Sequence, residues 1–95
     1  MIDKPTIARI MDATNIVDVV SEFVSLKKRG VNYIGLCPFH NDSHPSFSVS
    51  PARGICHCFT CGKGGNAINF LMELEQMTYP DALRWLANKY HIEIK

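Results

Sequence analysis

The chain has 95 residues, 46% of them hydrophobic and 20% charged, with a net charge of +1; this suits one small soluble globular domain and excludes a disordered or fibrous chain. No apolar run approaches the ~20 residues of a membrane span, and Asp3, Lys4, Arg9 and Asp12 interrupt the N-terminus where a secretory signal keeps an unbroken apolar stretch. A reducing cytoplasm is the expected compartment, and there clustered cysteines are metal ligands more often than disulfides.

In PTIARIMDATNIVDVVSEFV, apolar residues recur at spacings of three and four: Ile7, Ile10 and Met11, then Ile16, Val19, Val20 and Phe23. This predicts two short amphipathic helices. Asp3 ahead of Pro5 marks the first start, and Thr14 or Asn15 offers a cap for the second. From Val24 the period changes to alternation, and Gly30 before VNYIGLC predicts a hairpin. Residues 47–50 and 55–59 form a second pair of strands around the turn Pro51-Ala52-Arg53-Gly54. Gly62, Gly64 and Gly65 read as a tight turn, followed by Asn66 as the cap of AINFLMELEQM. Thr78 with Asp81 resembles a capping box for DALRWLANKY. The expected fold is α+β, a small antiparallel sheet flanked by N- and C-terminal helices, with residues 1–95 forming a single domain.

Cys37-Pro38-Phe39-His40 is a CxxH pair and Cys58-Phe59-Thr60-Cys61 a CxxC pair. Two intervening residues let one tight turn present both side chains to a single ion, the usual spacing of structural zinc sites. Each pair closes a predicted strand in a different hairpin, so a sheet can bring Cys37, His40, Cys58 and Cys61 together. Three thiolates and an imidazole fill a tetrahedral Zn2+ and leave no position for a catalytic water, so one structural zinc is expected. Cys56 could compete for the ion, but Cys58 shares the turn with Cys61, whereas Cys56 lies further back in the strand and reads as a packing residue. A redox dithiol at Cys58 and Cys61 would leave the CxxH pair unexplained. The glycines around Lys63 do not match GxxxxGK[ST], so no phosphate loop is expected.

Charge is unevenly spread: Lys27, Lys28 and Arg29 adjoin the cysteine region and Arg53 and Lys63 follow, while most acids lie in the flanking segments. The segments IVDVVSEFVSLKKRGVNYIGLCPFH, HPSFSVSP, HCFTCGKGGNAINFLM and ALRWLANKY closely resemble the zinc-binding domain of bacterial replicative DNA primase. The likeness covers nearly the whole chain. The sequence departs from that family at Cys56, where an aromatic is usual, at Thr60, where a small residue is usual, and at Asp42-Ser43-His44, where Glu-Lys-Thr is usual.

The resemblance implies a zinc ribbon on the small antiparallel sheet, one zinc on Cys37, His40, Cys58 and Cys61, and single-stranded template DNA as partner in choosing the initiation site. It also implies a separate polymerase domain in the same or another primase chain, and contact with the replicative helicase through regions outside this chain. The chain has no carboxylate cluster for nucleotidyl transfer, so catalysis is not expected from it alone. Lys27, Lys28, Arg29, Arg53 and Lys63 are the candidate DNA cations, and Tyr33, Phe47, His57 and Phe59 the candidate stacking platforms. For the phenylalanines, core packing competes equally with stacking. A structural zinc module for protein contacts, in a phage or mobile-element replication protein, is the competing reading.

Overall fold

Each helix begins where a side chain satisfies an orphan backbone N–H. In the computed structural model, which describes residues 2–39 and 44–94, helix α1 (Lys4–Ala13) starts at Asp3, whose Oδ1 accepts from Thr6 N–H at 2.9 Å, with Pro5 in the first turn. Asn15, not Thr14, caps α2 (Ile16–Ser21), accepting from Val17 N–H at 2.9 Å. Asn66 and Thr78 do the same for α3 (Ala67–Leu74) and α4 (Tyr79–Lys89), accepting from Asn69 and Asp81 N–H.

Between the helix pairs runs a five-stranded antiparallel meander in the order β1 (Lys27–Arg29), β2 (Asn32–Gly35), β3 (Phe47–Ser50), β4 (Ile55–Cys58) and β5 (Gly64–Gly65). The register pairs Lys28 with Tyr33, Tyr33 with Val49, Val49 with Cys56 and Cys56 with Gly65 in one row across the sheet. The next row out runs Lys27, Ile34, Ser48, His57 and Gly64. Because side chains alternate along a strand, adjacent rows point to opposite faces.

One face is covered. Phe47, Val49, Cys56 and Cys58 are buried and join a single core with Ile10, Val19, Val20, Phe70, Leu71, Leu83 and Leu86 from the helices. Aromatic rings hold its centre: Phe70 lies 5.8 Å from Phe23, 6.0 Å from Phe47 and 5.7 Å from Phe39, centroid to centroid. Phe39 therefore anchors the CPF segment to the core. The opposite face carries Asn32, Ile34, Ser48, Ser50, Ile55 and His57, which are half-buried or exposed. No helix among the described residues is long and apolar enough to cross a membrane.

The glycine pair at 64–65 corrects the sequence reading, which placed a turn there. Gly64 approaches β4 so closely that a Cβ would sit 2.2 Å from the Cys56 carbonyl oxygen. Only glycine fits that approach, and a strand of two glycines carries no strand propensity by which to find it.

Candidate metal centre and open sheet face

Two turns at one end of the sheet assemble the cysteines. The first follows β2, where Phe39 N–H donates to Cys37 Sγ at 3.4 Å. The second follows β4: Cys61 N–H donates to Cys58 Sγ at 3.4 Å, Gly62 N–H to the Cys58 carbonyl at 2.9 Å, and Cys58 N–H to the Lys63 carbonyl at 2.8 Å. Gly62 takes φ +79°, the left-handed conformation that closes such a turn without a Cβ penalty. Phe59 N–H donates to the Ser46 carbonyl, tying this turn to the start of β3.

The sulfurs of Cys37, Cys58 and Cys61 consequently lie within 4.8 Å of one another, and those of Cys37 and Cys61 are 3.7 Å apart. A tetrahedral ion with Zn–S bonds of ~2.3 Å sets its sulfurs ~3.8 Å apart, so the trio fits zinc. His40, the fourth expected ligand, lies outside the described residues. Cys56 does not join the trio: its thiol packs under β5, 3.5 Å from the Gly65 carbonyl to which it donates, and burial pushes it up to about 11.

Protons are distributed unequally over the trio. Burial pushes Cys37 up to about 12, and the neighbouring thiols add to this against the opposing Phe39 N–H. Burial also disfavours the Cys58 thiolate, but the N–H groups of Cys61 and Thr60, the Ser46 hydroxyl and the Cys37 thiol all donate to it, lowering it to about 6. Such a thiolate is the form that binds a metal.

The candidate nucleic-acid residues separate by face. Phe47 is fully buried, so it is a core residue and is withdrawn as a stacking platform. Its pairing with Cys58 and Gly35 turns it toward the helices. Tyr33, in register with buried Val49, also lies on the helix side and packs against the core. Lys28 shares that row but is exposed at the sheet edge. Lys63 is engaged by Glu73 at 3.6 Å and sits over the Phe39 ring at 5.6 Å.

The open face gathers the remainder. Lys27 and Arg29 belong to its edge strand, His57 to β4, and Arg53 to the turn that closes the same face. Phe59 is 74% exposed and meets His57 edge to face, with ring centroids 5.0 Å apart. Residues 24–66 hold five of the ten Lys and Arg but one of the nine acids, Asp42, a net +4; the rest of the chain is −3.

Comparison with known proteins gives a consistent result. The family model described as CHC2 zinc finger matches residues 2–95. A DNA primase from Synechococcus elongatus is 50% identical over 90 residues, 95% of this chain and 13% of that relative. A Staphylococcus aureus DNA primase is 47% identical over 93 residues, 98% of this chain and 16% of that relative. A solved structure, the Aquifex aeolicus primase with its zinc-binding and RNA polymerase domains, superposes with a TM-score of 0.85 at 44% identity, covering 95% of this chain and 22% of that one. The chain thus spans about a sixth or less of the length of these curated relatives.

Proposed function

The chain belongs to the CHC2 zinc finger family as the zinc-binding domain of a DNA primase, and from that premise we propose that its open sheet face holds single-stranded template DNA. The observation that carries this is one face without an acidic side chain among the described residues, bearing Lys27 and Arg29 on its edge strand β1, His57 on β4, and Arg53 and Phe59 just before and just after β4. Cations spaced along a face track a sugar–phosphate backbone, and an exposed ring offers a base a surface to stack on. Holding the template there helps select the initiation site. Primer synthesis then falls to a polymerase domain of the same or another chain, and the replicative helicase is engaged through regions outside these 95 residues, in the bacterial cytoplasm.

Salt-dependent binding of oligo-dT tests the reading. The Lys27→Gln, Arg29→Gln, Arg53→Gln triple variant is expected to lower the slope of log affinity against log salt by about 2, at ~0.7 per phosphate contact on a single strand. Phe59→Ala is expected to weaken binding by about 1–3 kcal/mol without altering that slope. Absence of binding at low salt, or a triple variant with an unchanged slope, sinks the reading and favours a module for protein contacts.

In the same proposal one structural Zn2+ is held by Cys37, His40, Cys58 and Cys61. When bound, the ion supplies a crosslink between the two turns and no open coordination position. Cys37 holds its proton below about pH 12, so zinc must displace that proton throughout the working range. Cys58 is already a thiolate above about pH 6 and presents a further proton for zinc to displace only below it. Apparent zinc affinity is therefore expected to fall more steeply with decreasing pH once below about 6, and an imidazole ligand, which binds only when neutral, reinforces the trend. Chelator competition between about pH 8 and pH 5 measures this, and a single slope across the range contradicts it.

A further inference from the structure

The open face holds a cleft of about 390 Å³, within the ~300–1,000 Å³ span of small-ligand pockets. Its walls are the exposed Val31, His57 and Phe59 with the half-buried Ile55, and its floor carries three neutral polar side chains, Asn32, Ser48 and Ser50. All three are half-buried, and among the described residues none of their side chains has a hydrogen-bond partner. The register sets Ser48 opposite His57 and, one step beyond the Tyr33–Val49 pair, brings Asn32 alongside Ser50. Gly64, opposite His57, adds no side chain beyond that row.

Stacking and phosphate contacts bind any sequence, because every base has a π-face and every nucleotide a phosphate. Discrimination requires donors and acceptors at fixed positions against a base edge. An asparagine amide offers both, and a serine hydroxyl can be either. Held on strands rather than loops, these groups are pre-oriented.

Resting on the DNA-binding reading above, we propose that this cleft admits one unstacked template base, packed against Phe59 and His57, whose edge is read by Asn32, Ser48 and Ser50. Lys27, Arg29 and Arg53 set the strand across the face. The polar floor chooses which base settles into it.

The test uses the zinc-loaded chain and four oligonucleotides of equal length, oligo-dT itself and oligo-dT with one internal dA, dC or dG. The tightest and weakest are expected to differ by about fivefold or more, the discrimination one good base-edge contact gives. Asn32→Ala and Ser48→Ala together should bring the four to within about twofold, while the salt slope and one bound zinc per chain persist. Asn32→Asp, which keeps the shape but replaces the amide donor by an acceptor, should change which base is favoured. Equal affinities in the wild-type chain with salt-dependent binding intact overturn the base-reading site alone. A preference that survives the double variant overturns it too, whereas loss of all binding by the wild-type chain overturns the DNA-binding reading beneath it.

Discussion

Cys58→Ser is expected to abolish stoichiometric zinc binding and cooperative unfolding, whereas Cys56→Ser is expected to retain one zinc and a folded chain. The two cysteines lie two residues apart on the same buried face of β4, so burial alone does not separate them. Their surroundings do. Cys58 Sγ receives the Cys61 N–H and belongs to the sulfur trio, while Cys56 Sγ faces the Gly65 carbonyl. Structural zinc contributes ~10–16 kcal/mol in small domains, comparable to or above the ~5–15 kcal/mol total stability of a chain this size. Removing a ligand therefore removes the fold with the metal. Cys56→Ser exchanges a weak thiol donor to the Gly65 carbonyl for a stronger hydroxyl donor, at about 1–2 kcal/mol for the more polar atom in the core. Metal content by atomic emission and urea unfolding followed by circular dichroism measure both effects, and the reverse pattern would place the ion on Cys56.

Much of this organisation is legible in the sequence because it rests on local chemistry. Asp3, Asn66 and Thr78 cap helices for the reason their residue types suggest, an oxygen within reach of an N–H two or three residues on. Alternation in Phe47-Ser48-Val49-Ser50 places the two serines on the face opposite the two apolar residues. That same signal points to the polar floor of the open face, although the cations and rings alone suggested a nucleic-acid site. What alternation leaves undecided is which face the helices cover. Phe47 served equally as platform or core until Phe39 and Phe70 closed over it. Strand β1 begins at Lys27 rather than at Val24, since Val24 is buried beside the helices and its apolar character serves the core, not a ladder.

The fifth strand is the element no propensity reveals, and its dependence on glycine can be measured. Gly64→Ala is expected to cost about 3 kcal/mol or more, at the upper end of overpacking effects. The added Cβ would lie 2.2 Å from the Cys56 carbonyl oxygen and 2.8 Å from His57 Cα, both backbone atoms of a central strand that cannot swing aside. Strand β5 would have to leave the sheet. Its departure would uncover Cys56 and pull on the Cys58 N–H to Lys63 carbonyl bond that shapes the metal turn, so zinc affinity should fall with stability. Gly54→Ala is the control for backbone conformation alone. Gly54 has φ +68° in the β3–β4 turn and nothing within 4 Å of a built Cβ, so its cost should be only that of a left-handed residue, about 1–2 kcal/mol. Urea unfolding of the two zinc-loaded variants separates the cases, because a clash acts through the sheet and the metal while a strained turn acts on neither. Equal losses in the two variants, with zinc affinity unchanged in both, would mean that β5 pairing does not hold the metal turn in place.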